Sequence, residues 1–312
     1  MIVSASRRTD IPARYSEWLF NRLREGYACT RSPFDPAKIG RISLSPEVVD
    51  GIVFWTKNPA PMLPRLSELR PYTYYFQFTL TPYGKDIEGN IPSKENAVIP
   101  AFRELSREIG RERVVWRYDP ILLTERYTID FHLEAFASLA KALEGYTGRC
   151  VISFLDPYRS IRGVMRELGM RAPEEDEMRR LAKRLAETAA KHHIALEACA
   201  EALDLSECGV ARAHCVDKAL FERLLGCRLD AGRDMNQRKE CGCMESVDIG
   251  MYDTCPNGCA YCYANHNAAA VARNIAAHDP ASPLLCGHIG PGDGVTEREM
   301  RPFRDGQIGF RI

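Results

Sequence analysis

The sequence has no excess of charge: 42 Lys and Arg balance 42 Asp and Glu over 312 residues. No global field therefore gathers DNA, RNA or an anionic membrane surface around the chain, and nucleic acid is not indicated as a partner. It has no run near the roughly 18 uninterrupted apolar residues of a spanning helix. Its first residues, MIVSASRRTDIPARY, lack the apolar core of an export signal. A cytoplasmic location without a membrane partner is the simplest expectation. Absent too are an internal repeat, a G-x-G-x-x-G fingerprint and a phosphate loop. The glycine-rich stretch 287–294 (GHIGPGDG) lacks the lysine and hydroxyl residue of such a loop and reads as a surface turn.

Apolar residues make up 45% and charged residues 27%, without a low-complexity tract, so a folded α/β protein is expected. Short runs rich in β-branched and aromatic residues predict strands over 2–6, 51–56, 73–80, 113–118, 150–155, 194–199 and 246–252. Helical spacing is clearest over 13–25, with Tyr15, Trp18, Leu19 and Leu23, and over 173–191, with Met178, Leu181, Leu185 and Ala189. Further helices are expected over 95–109, 130–144, 217–225 and 265–277. Repeated β-then-α order points to a parallel sheet with helices outside, closed or partly closed as a TIM-like barrel. Residues 1–245 supply the main βα units. Residues 246–312 supply a last strand, a cysteine loop, a helix and a charged tail.

Polar residues fall where the strands end: Arg7, Arg8, Thr9 and Asp10; Lys57 and Asn58; Thr79 and Thr81; Arg117 and Asp119; Asp156; Glu197 with Cys199. In a barrel these positions converge on one mouth, where active sites are built. Thr9, Asp10 and Asn58 serve equally well as helix caps. Lys57 and Arg117 need an anionic partner or solvent. Trp55, Tyr75, Trp116 and Tyr118 suit either the core or a planar substrate.

Twelve cysteines without an export signal favour metal or redox chemistry over disulfides. Nine lie between Cys199 and Cys262. Cys255-Pro-Asn-Gly-Cys259-Ala-Tyr-Cys262 puts three thiols on a loop that Pro256 and Gly258 keep out of a regular helix. A chance C-x3-C-x2-C is expected only roughly 0.02 times in such a chain. Three thiolates leave one iron of a [4Fe-4S] cluster without a protein ligand, whereas structural zinc sites and electron-transfer clusters usually take four. Upstream, Cys199, Cys215, Cys241 and Cys243 form a candidate second site for zinc or another iron–sulfur cluster, with core packing as the plain alternative. Cys208 and Cys227 read as ordinary thiols. His192 and His193 suit a helix C-terminus, and His214 and His266 read as structural or exposed.

The triad resembles that of the radical S-adenosylmethionine superfamily. That resemblance implies a [4Fe-4S] cluster whose open iron is chelated by the amino and carboxylate groups of S-adenosyl-L-methionine. The reduced cluster would cleave the sulfonium to a 5′-deoxyadenosyl radical. It also implies an electron donor such as flavodoxin or ferredoxin, and a small-molecule or nucleotide-like substrate. Tyr261 matches the aromatic residue that often packs near the adenine. Lys57 or Arg117 would meet the methionine carboxylate, Asp119 or Asp156 the ribose, and Arg7 is a further cofactor contact. The triad departs from the superfamily by following the last strand, which a circular permutation of the barrel would explain. The whole chain, from SASRRTDIP through FWTKNP, WRYDPI and QRKECGC to DIGMYDTCPNGCAYCYAN, is similar to an uncharacterised bacterial family, domain of unknown function 1848. That family is described as carrying such a cluster at its C-terminus.

Two other readings stand beside this one. A fourth ligand, Cys243 or His266, would close the triad into a structural clasp. Alternatively, Arg7, Asp10, Lys57, Asp119 and Asp156 would run hydrolase or lyase chemistry over structural cysteines.

Overall fold

The computed structural model describes residues 1–304. Its strands are β1 (Ile2–Ala5), β2 (Tyr27–Arg31), β3 (Lys38–Ser43), β4 (Gly51–Thr56), β5 (Tyr74–Thr79), β6 (Val114–Ile121), β7 (Arg149–Phe154), β8 (Ala195–Cys199), β9 (Ala211–Ala213), β10 (Val247–Asp248) and β11 (Gly294–Glu297). Its helices are α1 (Ile11–Arg14), α2 (Ser16–Glu25), α3 (Ile99–Ile109), α4 (Ile129–Leu143), α5 (Arg162–Glu167), α6 (Glu175–Lys191), α7 (Lys218–Leu225) and α8 (Ala268–Ala276).

Eight strands form one parallel sheet in the order β10-β1-β4-β5-β6-β7-β8-β9. Parallel strands are covered on both faces, which is why they read as near-continuous apolar runs. One face carries Val3, Ala5, Ile52, Phe54, Phe76, Phe78 and Trp116 and packs against Trp18 and Leu19 of α2, Phe102 of α3, Phe136 of α4 and Leu181 and Leu185 of α6. The residues between them, Ile2, Val53, Tyr75, Val115 and Val151, face the other way, onto Leu220 and Phe221 of α7 and onto Met244 and Phe303. Each such side chain contributes about 1.5–3 kcal/mol on burial.

All seven expected strands are members of this sheet, and the segment expected over 246–252 contributes only Val247 and Asp248, beside Val3 and Ser4 of β1. The expected helix over 13–25 is divided at Tyr15, whose φ of −136° leaves the helical range between α1 and α2. The expected charged tail is partly structured. Gly294–Glu297 pairs parallel with β3, which pairs antiparallel with β2, giving a small second sheet. Phe303 is buried, and Arg304 meets Asp50 at 2.7 Å. The rest of that tail, 305–312, lies outside the described residues. Among the described residues no helix is long and apolar enough to cross a membrane.

Candidate functional site

The triad loop leaves β10 through Asp253, whose φ is +55°. It is then pinned from two sides. From the segment after β1, Asp10 accepts from Asn257 Nδ2 at 3.0 Å and from Lys57 N at 2.8 Å, while Arg14 Nε donates to Asn257 Oδ1 at 2.8 Å. Asp10 also caps α1, accepting from Ala13 N at 3.1 Å, so its two expected roles coincide. From the segment after β5, Asn90 N donates to Asn257 O at 3.0 Å, and Ala260 N donates to Ile87 O at 2.8 Å. Gly258 sits at φ +66°, and a Cβ there would lie 3.1 Å from Asn90 Nδ2, so this turn requires glycine.

The three sulfurs act on one another only through space. Burial pushes Cys255 up to about 12, against backbone N–H groups of Asn257 and Asp10 aimed at its sulfur. Burial raises Cys259 as well, and the Lys57 ammonium opposes it. Cys262 is raised by burial against the amides of Ala264 and Asn265. Of the two residues considered as a fourth ligand, Cys243 neighbours Cys215 and Cys241, and His266 Nδ1 faces Asp253 Oδ2 at 3.2 Å, an arrangement that orients the ring.

Lys57 projects from the end of β4 beside this loop. Its ammonium donates to Glu88 Oε1 at 2.6 Å and to the Tyr261 hydroxyl at 2.7 Å, and lies over the Tyr261 ring. Glu88 has no exposed side-chain surface, and it also accepts from Lys94, from Thr81 Oγ1 at 2.7 Å and from Tyr261. Burial works to raise the Glu88 carboxyl, but the two ammonium groups outweigh it and take it down to about 2. Lys57 is raised, since Glu88 and Cys259 together outweigh its burial. Sequence reasoning missed Glu88 because it is a single acid inside a loop. The only signal was its place among the strand-end loops.

Arg117 and Asp119 lie elsewhere in the mouth. Arg117 Nε donates to Asp119 Oδ2 at 2.9 Å and Nη1 donates to Cys215 Sγ at 2.7 Å. Asp119 also accepts from Ser153 Oγ. Arg117 thus pairs with Asp119 and Cys215, as Lys57 pairs with Glu88 and Tyr261. Arg7 shares this region. Its guanidinium lies 5.4 Å from the Trp55 ring centre, and that of Arg117 lies 5.3 Å from the same ring. Asp156 is ion-paired with Arg238 at 2.5 Å and bonds locally to Tyr158. Glu201, also missed, accepts from Phe154 N at 2.8 Å, and burial lifts it to about 7, where a carboxyl exchanges protons near neutrality. Asp248 organises the base of the mouth, accepting from Ser4, Ser6, Arg7 N and Gly250 N at 2.7–2.9 Å.

The four upstream cysteines come together from three segments. Cys199 and Cys215 sulfurs are 2.9 Å apart, Val216 N donates to Cys243 Sγ at 3.3 Å, and Cys243 and Cys241 lie close enough to these thiols to act on their titration. The neighbouring Cys243 draws the Cys241 thiol down to about 7 against the effect of burial. Among the described residues no three His, Cys, Asp or Glu side chains are preset around a single ion position. Cys208 stays apart, donating to Arg179 O at 3.6 Å.

A cavity of about 990 Å³ opens beside the triad loop, walled by Tyr252, Asp253, Tyr263 and His266 on one side and by Thr30 and Arg31 of β2 on another.

A family model described as a domain of unknown function (DUF1848) matches residues 2–264, a span that includes both cysteine groups. The chain belongs to that family. No curated protein matches it. The family match ends just after the triad, so α8 and β11 lie beyond it.

Proposed function

We propose that this family member is a radical S-adenosylmethionine-type iron–sulfur enzyme whose [4Fe-4S] cluster is held by Cys255, Cys259 and Cys262. The observation that carries the reading is a three-thiol loop with backbone amides aimed at Cys255 and Cys262, while Cys243, considered as a fourth ligand, is grouped with the upstream cysteines instead. The donor set fits the group. Backbone amides point at the Cys255 and Cys262 sulfurs, as outer-shell donors do at cluster thiolates, and buried thiols of raised pKa give up protons to a cation placed among them. When bound, such a cluster supplies an electron to S-adenosylmethionine, whose cleavage yields an adenosyl radical for hydrogen abstraction.

The chain's own residues would do the positioning. Lys57, beside Cys259 and held by Glu88, is the cation placed to meet a carboxylate near the cluster. Tyr261 is locked by the same carboxylate. The neighbouring cavity has room for a small-molecule or nucleotide-like substrate. Glu201 and Asp119 are the carboxyl groups available farther along the mouth. The position of β10 in the sheet beside β1 supports a permuted partial barrel, in which the last strand takes the place the superfamily gives its first. An electron carrier such as flavodoxin or ferredoxin would supply the reducing equivalent.

Oxygen-free, iron- and sulfide-reconstituted protein given dithionite and S-adenosylmethionine is expected to release 5′-deoxyadenosine and methionine in equal amounts, without added substrate, at a slow abortive rate. No release above a protein-free control, with the cluster present, would exclude this activity.

A further inference from the structure

We propose that Cys199, Cys215, Cys241 and Cys243 bind one zinc ion, as a mononuclear tetrathiolate site separate from the triad. The four come from the end of β8, the turn after β9 and the Cys-Gly-Cys loop; the Cys199 and Cys215 sulfurs are 2.9 Å apart, and Cys243 and Cys241 are their neighbours. Contact of this kind discriminates between metals. Four thiolates at about 2.3 Å from one zinc stand roughly 3.8 Å apart. A [4Fe-4S] cube holds its ligand sulfurs roughly 6 Å apart, each on a different iron. The contact of Cys199 with Cys215 suits the smaller group. Zinc binding would draw the four thiols around the ion and displace their protons.

The surroundings carry the donors such a site needs. Arg117 Nη1 donates to Cys215 Sγ at 2.7 Å and Val216 N to Cys243 Sγ at 3.3 Å. Arg7 Nη2 is buried without a hydrogen-bond partner among the described residues, and its guanidinium lies near Cys243 and Cys215. Two cations and a backbone N–H around a sulfur group are arranged for thiolates, and a zinc tetrathiolate carries two net negative charges. The Cys-Gly-Cys loop is closely fitted: a Cβ at Gly242 would lie 2.2 Å from His214 Cε1. The site also answers a structural need. Residues 226–246, between α7 and β10, contain neither helix nor strand, yet they cover one face of the main sheet through Leu229, Cys241, Cys243 and Met244. A long irregular segment of this kind needs a tie, and a metal clasp supplies one.

The inference stands whether or not the triad holds a cluster. The experiment measures zinc and iron in the full chain and in a Cys255/Cys259/Cys262→Ala variant, each stripped of metal and reloaded with zinc alone. One zinc per chain is expected in both, with zinc X-ray absorption showing four sulfur neighbours at about 2.3 Å. The cobalt-substituted chain is expected to show the intense visible bands of tetrahedral thiolate coordination. In Cys241→Ser and Cys243→Ser variants the sulfur count is expected to fall by one. Failure of the wild-type chain to retain zinc, or a zinc shell with two or fewer sulfurs, overturns the proposal. So does a triad variant that, in a separate oxygen-free reconstitution with iron and sulfide, takes up about four irons, since the upstream cysteines would then hold a cluster.

Discussion

Replacing Cys255, Cys259 and Cys262 together by alanine is expected to abolish iron binding at their loop, a loss of about four irons per chain, and to reduce S-adenosylmethionine cleavage at least about a thousandfold, to background. The same substitution is expected to spare the fold. The loop is tied down by Asn257 to Asp10 and Arg14, and by backbone bonds to Ile87 and Asn90, none of which uses a sulfur. Each cysteine keeps part of its surface exposed and loses only a sulfur on change to alanine, so the combined cost is a few kcal/mol at most. Iron analysis and circular dichroism on the same preparation check both halves. Full iron content in the variant would assign the cluster to other residues.

Glu88→Gln is expected to cost the fold about 3–5 kcal/mol, a large effect for a nearly isosteric change. Glu88 is fully buried and faces two ammonium groups, Lys57 and Lys94. Without its charge these are left buried and mutually repelling, the situation in which one broken partner costs most. The carboxyl is held at about 2 in the folded protein, below its ordinary 4.5. A depressed carboxyl contributes stability that is present above pH 4.5 and lost as pH falls through about 2; by linkage that is about 3 kcal/mol. Denaturant titrations over this range are therefore expected to show wild type losing its advantage over the variant on acidification. A difference below about 1 kcal/mol at pH 7 would show that the two lysines find other partners.

The strands of the main sheet were legible because a parallel sheet buried on both faces leaves continuous apolar runs such as GIVFWT and TYYFQFTL. The small sheet was not. In β3 only Ile39 and Ile42 are buried, among Lys38, Gly40 and Arg41, and β11 is exposed throughout, so neither has the apolar signal of a strand. Tyr15 belongs to the apolar stripe of α2 by spacing, but its hydroxyl donates to Thr254 O at the approach to the triad, and the helix breaks there. Spacing alone identified the triad. It could not reveal that Lys57 stands beside it while Arg117 turns to Cys215, since both cations follow apolar strands in the same way. Glu88 was hidden for a related reason: its partners come from the end of β4, the turn over Lys94–Val98 and the triad loop, and only the folded chain brings them together.

The most direct measurement of the central claim is the electron paramagnetic resonance spectrum of the reduced, oxygen-free protein with and without S-adenosylmethionine. The account predicts a [4Fe-4S] signal that shifts when S-adenosylmethionine is added, and no such signal in the triple cysteine variant. A cluster signal indifferent to S-adenosylmethionine, or a chain that holds zinc and no iron after reconstitution, would contradict it.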